Sequence, residues 1–101
     1  MPIRPKYNPR PNARERAHIL KVCEEPCFGC GAHGGVAHHV LADFPGKRWR
    51  RDHQAVLPTC PACHTDIHDT FGNERDWLAG LGKTVPMMMA EVRRLWREGN
   101  V

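Results

Sequence analysis

The chain has 101 residues, five of them cysteine, and carries a net charge of +4 with its seven histidines counted as neutral. This length allows one domain with a small core, so we expect a bound metal to contribute to its stability. No apolar stretch is long enough to cross a membrane, and the first residues lack the apolar region of a secretory signal. The positive charge favours an anionic partner, either a nucleic acid or an acidic membrane surface.

Basic side chains are concentrated at the start of the chain. Residues 1–22 carry six basic side chains against one acidic, and the remainder is close to neutral. The first eleven residues include four prolines, which predicts an extended arm whose Arg4, Lys6 and Arg10 contact phosphates.

A short helix is predicted to follow this arm. Asn12 and Glu15 have the spacing of a capping box, which indicates a helix over 13–21. Its apolar positions, Ala17 and Leu20, are expected to face the core.

Four of the five cysteines form two CxxC pairs, Cys27 with Cys30 and Cys60 with Cys63. Each pair can supply two thiolate ligands from a tight turn, and the two turns together complete the tetrahedral coordination of a single structural zinc ion. A redox role would require a thioredoxin-like βαβ context, which the sequence lacks. Paired CxxC spacing without disulfides is typical of a reducing compartment, so we expect a cytoplasmic protein. Cys23 is either a small buried side chain or a rival of Cys27 as first ligand.

An antiparallel hairpin is predicted between the two cysteine pairs, with strands over 35–41 and 54–57. Adjacent His38 and His39 lie on the first strand, so their rings point to opposite faces. The loop between the strands is strongly basic around Trp49. We interpret it as a surface that binds phosphates and stacks on a base; the alternative is a solvated loop with Trp49 in the core. Its basic residues are Lys47, Arg48, Arg50 and Arg51.

A helix is predicted from Pro61 to about Asp69, ended by Gly72. His64 and His68 are four positions apart and share one face of this helix. Together with one strand histidine they form a three-point metal cradle with open positions. The alternative is that these histidines complete a second structural zinc site.

Two more helices are predicted towards the end of the chain. Asn73 caps a short helix that contains Trp77 and Leu78, and Thr84 caps a longer amphipathic helix that ends at Gly99. If an apolar strip of these helices stays exposed, a homodimer is expected, and otherwise a monomer. The inward positions of the longer helix are Val85, Met88, Val92, Leu95 and Trp96.

The histidine and cysteine motifs resemble those of the HNH family, also called ββα-metal or His-Me finger endonucleases. The resemblance spans about residues 27–82, and the run 69–77 is similar to that of small phage and prophage HNH nucleases. The matching segments are Ala37-His38-His39-Val40, Val56-Leu57-Pro58-Thr59-Cys60 and Cys60-Pro61-Ala62-Cys63-His64-x-x-x-His68.

The resemblance implies a small α+β fold, a zinc-stabilised ββα-metal finger with flanking helices and a basic N-terminal arm. Residues 1–22 would be the arm and short helix, 23–82 the nuclease core, and 83–101 a helix packed on that core. By position, His39 is the general base, and the divalent ion is held by His38, His64 and His68.

The central Asn of the family has no Asn counterpart in this chain. Asp52 or His53 takes that place, and we favour Asp52 as a catalytic residue because a carboxylate would hold the tautomer of His39.

The predicted function is a metal-dependent DNA endonuclease of phage or prophage DNA metabolism that nicks or cleaves both strands with little sequence specificity. Imidazole ligands favour Mn²⁺, Ni²⁺, Co²⁺ or Zn²⁺, with Mg²⁺ acting through waters. The alternatives are a non-catalytic zinc module that binds DNA and an accessory subunit of a phage packaging or recombination complex.

Overall fold

The computed structural model describes residues 10–40 and 53–99, and it has an α+β architecture. The predicted contributions of Arg4, Lys6 and segment 47–52, which includes Asp52, lie outside the described residues. Within them the chain forms four α-helices, a two-stranded sheet and one π-helical segment. The elements in chain order are α1 (Ala13–Cys23), β1 (Val36–His39), β2 (Val56–Thr59), α2 (Pro61–Thr65), the π-helical segment (Asp66–Phe71), α3 (Glu74–Gly80) and α4 (Val85–Gly99).

Helix α1 begins with the predicted capping box. The Oδ1 of Asn12 accepts from the backbone N–H of Glu15 at 2.8 Å, and the Glu15 carboxylate accepts from the backbone N–H of Asn12 at 2.9 Å. The predicted inward face is wrong, because Ala17 is exposed and Leu20 is 67% exposed. The buried face is polar in part, which explains why apolar spacing did not reveal it; its residues are Glu15, His18 and Val22.

The two strands pair antiparallel, as predicted, with His38 opposite Leu57 and His39 opposite Val56. Strand β2 covers 56–59 rather than 54–57 and so includes Pro58. A proline is tolerated there because a two-stranded sheet consists only of edges. The Pro58 carbonyl accepts from the backbone N–H of Phe28 at 2.9 Å, which ties the first cysteine pair to the sheet.

The helix after Pro61 is longer than predicted and changes its geometry. Cys60 is its N-cap, and the α-helical turns end at Thr65, after which residues 66–71 are π-helical. Gly72 ends the segment, as predicted, with a φ of +80°, a conformation that glycine adopts without strain.

The main core joins the first cysteine pair, the sheet and helices α2 to α4. Trp77 and Leu57 are among its fully buried side chains. Helix α4 buries the predicted apolar face against α1, β2 and α3. Trp96 is the exception: it is half-buried, and its ring meets the His18 ring edge-on with 4.8 Å between the centroids.

Among the described residues, no helix combines the length and apolar character needed to cross a membrane.

Candidate metal centres

Four cysteine side chains converge at the base of the hairpin. The Sγ atoms of Cys27, Cys30, Cys60 and Cys63 lie within 4.8 Å of one another, and those of Cys30 and Cys60 are 3.7 Å apart. Sulfur atoms around a tetrahedral zinc ion, each about 2.3 Å from it, are separated by about 3.8 Å. The four cysteines can therefore hold a structural metal such as zinc. Cys23 is not part of this group.

Hydrogen bonds to sulfur favour ionisation at one side of the cluster. Burial opposes ionisation of the Cys27 thiol, but backbone N–H groups and the Cys63 side chain outweigh it and lower the pKa of Cys27 to about 7. One of these donors is the backbone N–H of Gly29, 3.3 Å from the Cys27 Sγ. Burial, together with the neighbouring thiols, raises the pKa of Cys63. One thiolate forms readily, and a bound cation would displace the remaining protons.

The indole of Trp77 in α3 closes over the first cysteine pair. A Cβ atom at Gly29 would lie 2.6 Å from the Trp77 ring and 3.0 Å from the Cys63 Sγ. A side chain at position 29 would force the aromatic ring or the thiol to shift. This contact fixes α3 relative to the cysteine cluster. Helix α3 also carries Glu74, which contacts His38.

Three imidazoles form a second cluster, one each from β1, α2 and the π-helical segment. One donor nitrogen from each of His38, His64 and His68 lies within 4.8 Å of the others, which is close enough to hold one metal ion. The Nε2 atoms of His64 and His68 are 3.2 Å apart. His38 is buried, His64 is half-buried and His68 is exposed, so the cluster opens to solvent on one side.

The charge state of His64 suits metal binding. Burial, and then the neighbouring His38 and His68 rings, lower the pKa of His64. A lowered pKa keeps this imidazole neutral, and a neutral imidazole has the lone pair that a metal ligand needs.

His39 points away from this cluster, as its neighbouring position on the strand predicts, and contacts His53. The Nε2 of His39 lies 3.0 Å from the Nδ1 of His53, whose side chain is buried. His53 is one of the two residues that the resemblance offers in place of the family's Asn. The other, Asp52, which the sequence favours, lies outside the described part of the chain.

Glu74 is a site residue that sequence reasoning missed. Its Oε2 lies 2.5 Å from the Nε2 of His38, and both side chains are almost fully buried. A glutamate in the first turn of a helix is ordinarily exposed to solvent and interacts with the helix macrodipole. Its position in the sequence therefore did not indicate a role at this site. A cavity of about 300 Å³ lies beside this contact, and Arg75 and His68 form part of its lining.

Of the predicted phosphate-binding residues, Arg10 alone falls within the described ranges, and it is exposed.

Comparison of the chain with protein-family models, curated proteins and solved structures finds no significant match.

Proposed function

We propose that this protein is a metal-dependent DNA endonuclease of the HNH type that hydrolyses phosphodiester bonds with little sequence specificity. A role in phage or prophage DNA metabolism follows from the same resemblance. One observation carries the proposal: two adjacent strand histidines serve two different clusters. His38 joins His64 and His68 in a three-imidazole group, while the neighbouring ring of His39 pairs with His53.

Phosphodiester hydrolysis needs a base for the attacking water and charge stabilisation at the phosphate. His39 is half-buried, and neutral imidazole is the usual general base near neutral pH. The contact with His53 holds the ring of His39 in one orientation. A base whose ring is already held in one orientation loses little conformational freedom when it removes a proton from the attacking water.

The three-imidazole group is the proposed site of the divalent ion. An ion held by His38, His64 and His68 would act as a Lewis acid on the phosphate and on the departing 3′ oxygen. Imidazole donors select Mn²⁺, Co²⁺, Ni²⁺ or Zn²⁺ over Mg²⁺. Cys60 is the N-cap of α2, which carries His64, and α2 continues into the π-helical segment that carries His68. Zinc in the cysteine cluster would therefore fix both histidines against the hairpin that carries His38.

The charge of the chain suits a polyanionic substrate. Exposed Arg10 and the basic residues at 1–9 and 47–51 would contact phosphates on either side of the scissile bond. Such contacts carry little sequence information, which agrees with low specificity, and they weaken as salt concentration rises.

Nicking of supercoiled plasmid tests the proposal. Protein with zinc in the cysteine cluster is assayed with Mg²⁺, Mn²⁺, Co²⁺ and Ni²⁺ in turn, beside His39→Ala and a control, His33→Ala, whose side chain is exposed. We expect metal-dependent nicking that falls by about 10²- to 10⁴-fold in His39→Ala and is unchanged in His33→Ala. Folding of each variant is checked by circular dichroism and zinc content.

Two results would contradict this function. Salt-sensitive DNA binding without cleavage under any metal would identify a zinc-containing DNA-binding module. Equal nicking by the wild type and folded His39→Ala would assign the cleavage to a contaminating nuclease or to another base.

A further inference from the structure

The carboxylate of Glu74 is buried against a histidine of the three-imidazole group. The Oε2 of Glu74 and the Nε2 of His38 are 2.5 Å apart, and the side chains are 5% and 3% exposed. A carboxylate that loses its water at this depth is strongly disfavoured unless it is paired and hydrogen-bonded. An exposed position would avoid this cost, so the burial of Glu74 calls for a compensating role.

The local backbone places Glu74 at this position. Gly72 reverses the chain after the π-helical segment, and Asn73 caps α3 by accepting from the backbone N–H of Asp76 at 2.8 Å. Glu74 is then the first residue of α3 and faces a strand residue 36 positions earlier in the chain. The contact therefore depends on the tertiary fold and is not a local pairing.

The contact with Glu74 engages the Nε2 of His38. Among the described residues, the mutually close metal donors at this cluster are His38, His64 and His68, and Glu74 is not one of them. A neutral imidazole that donates from Nε2 to a carboxylate has its free lone pair on Nδ1. Such a carboxylate fixes the orientation of a ligand histidine and strengthens its donor nitrogen.

We propose that Glu74 is a positioning residue of the metal centre: it accepts a hydrogen bond from His38 Nε2–H and so makes Nδ1 the nitrogen that faces the ion. This inference rests on the proposed function, because it requires that an ion binds at the three-imidazole group. It differs from a purely structural role, which would make Glu74 a tie between α3 and β1 with no effect on metal affinity.

Calorimetric titration with Ni²⁺ separates these roles. Protein with zinc in the cysteine cluster is compared with Glu74→Gln, which keeps the size of the side chain and removes its charge. The control is Asp69→Asn, which removes an exposed carboxylate from the neighbouring π-helical segment. We expect Ni²⁺ affinity to fall about 10- to 100-fold in Glu74→Gln and to be unchanged in Asp69→Asn, with equal zinc content and circular dichroism in all three proteins.

A spectroscopic measurement on the wild type makes the test independent of how the variant folds. Nitrogen-15 correlation spectra with a second Zn²⁺ bound report which ring nitrogen of His38 carries the proton. We expect a protonated Nε2 and a Nδ1 that shifts on binding; coordination through Nε2 would overturn the inference. Equal Ni²⁺ affinity in the wild type and Glu74→Gln would overturn this inference alone, whereas a wild type that binds no second ion would overturn both it and the proposed metal centre.

Discussion

The Nε2 of His39 lies 3.0 Å from the Nδ1 of His53, a residue 14 positions further along the chain. The HNH resemblance places an asparagine at about this position, and here an imidazole provides the contact. Because His53 is buried, its ring has little freedom to turn. The contact with His53 therefore restrains the ring of His39, the proposed base.

Replacement of His53 by alanine should slow DNA cleavage by roughly 10- to 100-fold, because the His39 ring would lose the contact that orients it. His53→Asn should retain more activity than His53→Ala, since an amide can also hydrogen-bond to an imidazole. Single-turnover nicking rates measure both effects. Asp52→Ala, measured beside them, tests the rival assignment: a larger loss there than in His53→Ala would give the orienting role to Asp52.

Loss of a cysteine ligand should remove zinc and unfold the protein. In Cys63→Ser we expect less than one zinc per chain and no cooperative thermal transition, because a structural zinc site contributes about 10–16 kcal/mol to folding in small domains. Cys23→Ser is the matched control, since Cys23 stands outside the four-cysteine group. Metal analysis together with thermal melting checks this, and full zinc content in folded Cys63→Ser would contradict the site.

Gly29→Ala should destabilise the protein by about 1–3 kcal/mol, because the added Cβ atom overpacks the space between Trp77 and Cys63. Gly80→Ala provides the comparison, since a Cβ atom there would meet Phe71 at an ordinary contact distance of 3.5 Å. Urea unfolding at constant zinc concentration measures both changes. Equal stability of the two variants would show that the Trp77 ring moves aside without cost.

His18 should make stability depend on pH. Burial, and then Lys21, lower the pKa of His18, and among the described residues neither ring nitrogen has a hydrogen-bond partner. The unfolded chain therefore binds the proton first as pH falls below about 6.5. His18 thus disfavours the folded state increasingly until pH passes its lower folded pKa. The titratable neighbours that line the same cavity are Lys21, Glu25 and Glu98.

The comparison of His18→Phe with the wild type isolates this effect, because the two proteins differ at this residue alone. From about pH 8 to about pH 5 the wild type should lose more unfolding free energy than the variant, with a difference in slope of at most about 1.4 kcal/mol per pH unit. Urea unfolding at several pH values measures the slopes. Parallel curves would show that His18 has the same pKa in both states.

The sequence was sufficient for features that depend on neighbouring residues. Helix caps at Asn12 and Asn73, the end of the helix at Gly72 and the cysteine pairs all follow from short-range chemistry, and the structure confirms them. The antiparallel hairpin also agrees, although β2 lies two residues further along than predicted.

Features that depend on tertiary packing were not predictable from the sequence. Helix α1 buries Glu15 and His18 and exposes Leu20, since its position against the sheet and α4 decides which side is covered. The contact of Glu74 with His38 spans 36 positions and requires the turn at Gly72. Spacing and the family resemblance together predicted that His38, His64 and His68 converge, and the structure brings them together, but the sequence contained no signal for the contact with Glu74.

Cleavage of a labelled DNA duplex, followed as Mn²⁺ is added to protein with zinc in its cysteine cluster, tests the proposed metal centre most directly. We expect the wild-type rate to rise with Mn²⁺ and to saturate, and the products to carry 5′ phosphates. His64→Ala should lose most of this rate at the same Mn²⁺ concentrations, while His33→Ala should keep it. Cleavage that needs no added ion, or that is equally fast in His64→Ala, would contradict the proposed metal centre.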